Sequence, residues 1–83
     1  MKIVVINNGF VFVCKEYSEN EKNVTLTNAR CIRVWGTSDG LGQLVSGPTS
    51  LTKLDALIPI VSVPEHQIVF TFSVSGSWAE HLK

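Results

Sequence analysis

The sequence has no excess of charge of either sign, because 7 lysines and arginines are balanced by 7 aspartates and glutamates. Proteins that bind duplex nucleic acid without sequence preference rely on a surplus of lysine and arginine facing the phosphates. Duplex nucleic acid is therefore not predicted as a partner. A small anionic ligand needs only a local positive patch, and Arg30 and Arg33 have no acidic residue close by in the sequence before Asp39.

The sequence also lacks a long hydrophobic run. The apolar stretch that starts at Met1 is interrupted at Asn7-Asn8-Gly9, well short of the ~20 residues that a membrane-spanning helix requires. This stretch does not resemble a secretory signal, and the only two cysteines, Cys14 and Cys31, lie within apolar strand-like segments. We therefore expect a cytoplasmic protein with no membrane partner, in which both thiols are reduced and buried as small hydrophobic side chains.

Clusters of catalytic or metal-ligating residues are missing as well. His66 and His81 are far apart in the sequence, and neither is followed by a second potential ligand at the spacing that metal sites use. Cysteines on core strands are poor nucleophiles, because burial disfavours the thiolate. We expect a protein that is not an enzyme and that has neither a metal nor a cofactor.

Short apolar or alternating segments, each ended by turn residues, predict a mainly β fold. Two apolar runs on either side of Asn7-Asn8-Gly9 predict a tight hairpin. The stretch Val24–Thr27 alternates between apolar and polar residues, and Gln67–Val74 is the clearest strand of the chain. We expect a single domain over 1–83, a small twisted antiparallel sheet of about five strands with one short helix after Trp35.

That helix is predicted from turn residues and from apolar spacing. The segment Gly36–Gly40 has the composition of a turn and supplies side-chain oxygens that can cap a helix. Leu41, Leu44 and Val45 then lie at positions i, i+3 and i+4, which predicts one apolar stripe. Gly47-Pro48 ends the helix.

The chain is too short to bury a large core. A domain of 83 residues buries only about 60–65% of the surface that its unfolded form exposes. Association with further copies compensates for a small core, and we expect a homo-oligomer. The tail Ser75–Lys83 is expected to be a frayed end or an arm that docks Trp78 on a neighbouring subunit.

The alternation of apolar residues breaks after Leu26. Continuing the two-residue period would place Asn28 and Arg30 on the apolar face of the strand. A β-bulge near Asn28-Ala29 is one explanation for this break. The other explanation is functional, with Asn28 and Arg30 pointing into a cleft or an interface.

The segment from Asn28 to Leu44 contains both arginines and one of the two tryptophans. A guanidinium group binds phosphate and stacks on planar rings, and Trp35 can stack on a base. Backbone N–H groups near Gly40 would face an anion at the start of the helix. This combination predicts a small, nucleotide-like anion as ligand. The predicted ligand-binding residues are Asn28, Arg30, Arg33, Trp35, Gly36, Thr37, Ser38, Gly40 and Gln43.

Ordinary structural roles are open at the same positions. Trp35 can serve as a core or interface aromatic residue. Arg30 and Arg33 can each form a surface ion pair with an acidic residue.

Four ordered motifs carry a resemblance to a known family. Asn28-Ala29-Arg30, Trp35-Gly36-Thr37 and Gly40-Leu41-x-Gln43-Leu44, followed by Val61-x-Val63-Pro64, resemble a family of small proteins of unknown function that is frequent in bacteriophage genomes. The resemblance extends from Val24 to Val74. By analogy in size, origin and ligand chemistry, it implies an anti-defence protein that binds and sequesters a cyclic nucleotide in the host cytoplasm.

A second function is compatible with the same residues. The protein would then be an interaction module that inhibits or scaffolds a host or virion protein. Its contact surface would consist of Trp35, Leu41 and Leu44 together with the edge strands of the sheet.

Overall fold

The computed structural model describes all residues from Met1 to Lys83 and contains one antiparallel sheet of six strands. The mainly β prediction is confirmed. Three short 3-10 segments complete the fold, and none of its helical segments has the length and apolar character needed to cross a bilayer. The strands are β1 (Lys2–Ile6), β2 (Val11–Glu19), β3 (Asn23–Val34), β4 (Lys53–Leu54), β5 (Ile58–Pro64) and β6 (Ile68–Ser73), and the 3-10 segments are η1 (Leu41–Ser46), η2 (Glu65–Gln67) and η3 (Gly76–His81).

The predicted hairpin at Asn7-Asn8-Gly9 joins β1 to β2. Gly9 has a φ of 86°, a left-handed conformation that glycine adopts without steric cost. The backbone N–H groups of Ile6 and Gly9 donate to Phe10 and Ile6 respectively, each at 2.9 Å, and close the turn.

The sheet is curled because of how its edges are connected. β3 pairs with β2 on one side and with β5 and β4 on the other, while β6 pairs with β1 at the opposite edge. Only η2 connects β5 to β6. From Pro64 to Ile68 the chain spans at most about 14 Å, whereas four strand spacings of a flat sheet amount to about 19 Å. The two edges must therefore approach each other at η2.

Both faces of the sheet are buried, each in its own hydrophobic cluster, because successive residues such as Ile3 and Val4 point to opposite faces. The inner cluster is packed against Val61 and Ile68 from the two edge strands and so lies on the concave face. The outer cluster is covered by η1 and η3. The buried inner residues are Val4, Cys14, Val24, Leu26, Ala29 and Val63, and the buried outer residues are Ile3, Val11, Val13, Ile32, Leu44, Trp78 and Leu82.

The predicted break in the alternation of β3 occurs at Asn28. Its φ of 48° is left-handed, a conformation that asparagine tolerates better than most residues. Leu26 and Ala29, three positions apart, consequently both face the inner cluster. The pairing of β3 with β2 keeps the same offset on both sides of Asn28, so the strand bends without a shift of register.

The segment η1 takes the place of the predicted helix, but it is a 3-10 helix. With three residues per turn, Leu41 and Leu44 share one face while Val45 does not. Leu44 is fully buried, whereas Val45 is 41% exposed. Gly47, with a φ of 123°, ends the segment.

The C-terminal tail belongs to the core of its own chain. Trp78 and Leu82 are completely buried, and the indole N–H of Trp78 donates to the carbonyl oxygen of Leu44 at 2.7 Å. The tail was expected to be a frayed end or an arm that docks on a neighbouring subunit. It packs against its own chain instead. The physical reason is that the outer face of the sheet offers Trp78 an apolar site within the same chain.

Candidate functional site

The nine predicted ligand-binding residues are not gathered at one place. Arg33 lines one surface pocket, and Gly36, Thr37, Ser38 and Gln43 line a second. The remaining predicted residues, Asn28, Arg30, Trp35 and Gly40, line neither pocket.

Arg30 connects three parts of the chain. Its Nε donates to the backbone carbonyl oxygen of Asp55 at 2.7 Å, and its Nη1 donates to that of His81 at 3.3 Å. These bonds link β3 to the loop before β5 and to the end of η3. Two of the three guanidinium nitrogens of Arg30 therefore donate to the protein's own backbone.

Asn28 and Gly40 have conformational roles in the structure. Asn28 supplies the left-handed residue at the bend of β3. Gly40 has a φ of 88° and immediately precedes η1. Because η1 has only 6 residues in 3-10 form, its start offers an anion little of the aligned dipole of a long α-helix.

The second pocket is lined by hydroxyl groups and has a volume of about 330 Å³. Gln43 stabilises the loop that precedes η1. Its Oε1 accepts hydrogen bonds from the backbone N–H groups of Ser38 at 3.0 Å and Asp39 at 2.9 Å. This carbonyl oxygen is therefore not free to read a base edge. No positively charged side chain lines the pocket, whose lining residues are Gly36, Thr37, Ser38, Gln43, Thr49, Ser50 and Leu51.

Gly36 shapes this pocket through its backbone. Its φ is 67°, and a Cβ atom at this position would overlap the backbone of Leu51 and Thr52. The hydroxyl group of Thr49 donates to the carbonyl oxygen of Gly36 at 2.6 Å, which holds the two loops together. Only glycine fits here without a backbone movement.

The Phe10–Arg33 pocket has a volume of about 440 Å³ and combines an aromatic ring with a guanidinium group. Phe10 is 56% exposed, and the side chain of Arg33 is 71% exposed. Nε of Arg33 donates to Oδ1 of Asp55 at 2.8 Å, which leaves its two Nη groups without a protein partner. The pocket is lined by Gly9, Phe10, Val11, Cys31, Ile32, Arg33 and Asp55.

The charges in this pocket are balanced. Arg33 and Asp55 form an ion pair, so an anion that binds Arg33 also meets the carboxylate of Asp55. Burial, and secondarily the charge of Asp55, raises the pKa of the Cys31 thiol. At neutral pH this thiol is protonated, and the pocket contains no thiolate nucleophile.

Trp35 lies just beyond the end of β3, two residues after Arg33, and is 41% exposed. Its carbonyl oxygen accepts a hydrogen bond from the hydroxyl group of Thr52 at 2.7 Å. Trp35 is therefore not a core residue, and it does not line the Phe10–Arg33 pocket.

Two residues of this pocket, Phe10 and Asp55, were not among the predicted site residues. Phe10 directly follows the turn at Asn7-Asn8-Gly9 and begins an apolar run, a pattern that indicates a strand and not a ligand site. The only sequence signal for Asp55 is indirect. Arg30 and Arg33 have no acidic residue close by in the sequence, so an ion-pair partner for either must come from a distant part of the chain. No local pattern indicates which acidic residue that is.

A third pocket, of about 630 Å³, lies between the β2–β3 turn and η2. Its charged residues have both signs, and no group of three histidine, cysteine, aspartate or glutamate side chains that could hold a metal ion occurs in the structure. The lining residues are Glu21, Lys22, Asn23, Pro64, Glu65 and His66.

Comparison of the chain with protein-family models, with curated proteins and with solved structures found no match.

Proposed function

We propose that this protein is a non-catalytic binding protein that accepts a small, planar, anionic ligand of the nucleotide type in the Phe10–Arg33 pocket. One observation carries the proposal. An exposed aromatic ring and a guanidinium group with two unpartnered Nη groups line the same pocket.

The chemistry of the two side chains is complementary to a nucleotide. A base can stack on the ring of Phe10, a contact worth about 1–3 kcal/mol. A phosphate can accept hydrogen bonds from the Nη groups of Arg33, and a charge-assisted bond contributes about 1.5–3 kcal/mol. Together these contacts correspond to dissociation constants from about ten millimolar to tens of micromolar.

Sequestration of a cyclic nucleotide, as in phage anti-defence, is a narrower proposal. It is supported by the sequence resemblance and by the same pair of side chains. Sequestration requires tighter binding than these two contacts provide, so a ligand of this kind must make additional contacts.

Isothermal titration calorimetry with adenosine monophosphate, cyclic di-GMP and inorganic phosphate tests the binding function. We expect saturable binding of at least one nucleotide, and about tenfold or greater loss of affinity in Arg33→Ala. The matched control is Lys15→Ala, which removes one positive charge from an exposed position of β2 outside the pocket. Phe10→Ala should weaken nucleotide binding and leave phosphate binding unchanged.

Two results would refute the proposal. One is the absence of binding of every probe at concentrations up to about ten millimolar. The other is an equal loss of affinity in Arg33→Ala and Lys15→Ala, which would show that only the overall charge attracts the nucleotide.

The alternative, a protein-interaction module, is favoured by a different observation. Leu44 is fully buried, so the predicted surface of Trp35, Leu41 and Leu44 is not available as a whole. The edge strands do expose large apolar side chains, among them Ile60 and Phe70. An extended segment of another protein can add to such an edge.

A further inference from the structure

Most of the charged residues of this sheet lie on its inner strands, and they are absent from its two longer edge strands. This is the reverse of the usual arrangement, in which charged residues protect the edges of a sheet. The inner strands β2 and β3 carry charged side chains, whereas β5 and β6, the two longer edge strands, have no lysine, arginine, aspartate or glutamate. Natural proteins commonly place charged residues, lysine above all, on edge strands to prevent pairing with other chains. β5 and β6 both lack this protection, although the short edge strand β4 carries Lys53.

The two edges differ in their capacity to form hydrogen bonds. β5 contains Pro59 and Pro64, which lack a backbone N–H and make the strand a poor template for pairing. β6 contains no proline and no glycine. It pairs with β1 alone, so the N–H and C=O groups along its other side have no strand partner.

The side chains of β6 also favour a partner strand. Val69 is 57% exposed and Phe70 is 50% exposed, and the ring of Phe70 stacks on that of Phe72 with the centroids 6.3 Å apart. Six residues without charge or proline, five of them of high β propensity, form the type of edge that pairs most readily with another strand.

We propose that β6 pairs with β6 of a second copy of this chain, antiparallel and across a two-fold axis, so that two sheets join into one. An uncharged strand offers no charge for an oppositely charged partner to recognise, and it meets its own copy without like-charge repulsion. A two-fold arrangement covers both β6 edges at once and closes the assembly at a dimer. This inference does not depend on the proposed function, because β6 carries no residue of the Phe10–Arg33 pocket.

The alternation of side chains limits the register of the pair. Directly opposed residues of an antiparallel pair lie on the same face of the sheet. With the two-fold axis perpendicular to the sheet, residues of the same parity must therefore oppose each other. Two registers each pair five of the six residues of β6, one with the axis at Phe70 and one with the axis at Thr71. The register centred at Thr71 is favoured, because it places Phe70 opposite the partner subunit's Phe72 and so extends the aromatic stack across the interface.

Sedimentation equilibrium over about a hundredfold range of concentration tests this dimer. We expect a monomer–dimer equilibrium whose dissociation constant rises at least tenfold in Val69→Lys. The matched control is Ile60→Lys, which places the same charge at a residue of β5 that is 69% exposed and should leave the dimer intact.

A cross-linking experiment keeps the test independent of the folding of Val69→Lys. In a Cys31→Ser background, Thr71→Cys should form a disulfide-linked dimer under mild oxidation, since directly opposed Cβ atoms lie about 4.5–5.5 Å apart. Ser62→Cys on β5 should not form this dimer.

The proposal is overturned by a monomer at every concentration, by a dimer that Val69→Lys does not weaken while Thr71→Cys fails to cross-link, or by preferential cross-linking of Ser62→Cys. An assembly larger than a dimer that both lysine variants disrupt would indicate pairing of β5 with β6 instead, and it would also overturn the two-fold arrangement.

Discussion

The indole N–H of Trp78 donates a 2.7 Å hydrogen bond to the carbonyl oxygen of Leu44, and both side chains are fully buried. The bond joins η3 to η1 across the outer face of the sheet. His81 packs edge-on against the indole ring, with the ring centroids 5.9 Å apart. The last residues of the chain thus cover an apolar face that the sheet would otherwise expose.

Trp78→Phe should lower the free energy of unfolding by about 2 kcal/mol, because it removes buried volume and the hydrogen bond to Leu44. Urea denaturation followed by circular dichroism measures the effect. The control Trp35→Phe, at a half-exposed ring, should change stability by less than about 1 kcal/mol. Equal stabilities of Trp78→Phe and the unmodified protein would contradict the role of Trp78 in the core.

Arg30→Ala should mainly lower stability, whereas Arg33→Ala should mainly weaken ligand binding. Arg30 donates to two backbone carbonyl groups, and its loss should cost about 1–3 kcal/mol of stability. Arg33 forms one exposed ion pair, so its loss should cost less than about 1 kcal/mol. Denaturant midpoints of the two variants, measured side by side, check the difference, and a greater loss in Arg33→Ala would reverse the assignment.

Gly36→Ala should destabilise the protein by more than about 2 kcal/mol, since the added Cβ meets the backbone of Leu51 and Thr52 at a left-handed φ. Gly42→Ala is the matched control, because a Cβ there meets nothing within 4 Å. It should be neutral or stabilising by up to about 1 kcal/mol. Thermal unfolding of both variants distinguishes a local requirement for glycine from a general effect of the substitution.

Stability should decrease in alkaline solution. Burial raises the pKa of the Cys14 thiol in the folded state, so the folded protein retains a proton that the unfolded chain loses. This contribution is fully present below the thiol's ordinary pKa of 9.0 and is lost as the pH rises above it. Denaturation from about pH 7 to pH 10.5 should show a smaller decline in Cys14→Ala than in the unmodified protein. An identical slope in both would show that Cys14 does not contribute.

The two thiols should react at different rates with a water-soluble maleimide. Cys14 is fully buried, whereas Cys31 is half-buried and lines the Phe10–Arg33 pocket. We expect Cys31 to be labelled first, still slowly because burial raises its pKa, and Cys14 to be labelled only in denaturant. Mass spectrometry of the modified peptides measures the order, and rapid labelling of Cys14 in the folded protein would contradict its burial.

The sequence by itself determined where most strands and turns lie. The hairpin at Asn7-Asn8-Gly9, the alternation that starts at Val24, the bend at Asn28 and the strand within Gln67–Val74 all follow from local patterns. These features depend on the backbone conformations that a few neighbouring residues allow. Such preferences act over short distances and can therefore be read from short segments of sequence.

Only the tertiary structure decided which distant residues meet. Arg30 and Arg33 both contact Asp55, which is more than twenty residues away, and Trp78 is buried on η1. The curl of the sheet brings these segments together, and that curl results from the short connection between its two edges. Contacts of this kind depend on how the whole sheet closes and packs, so no local sequence pattern specifies them.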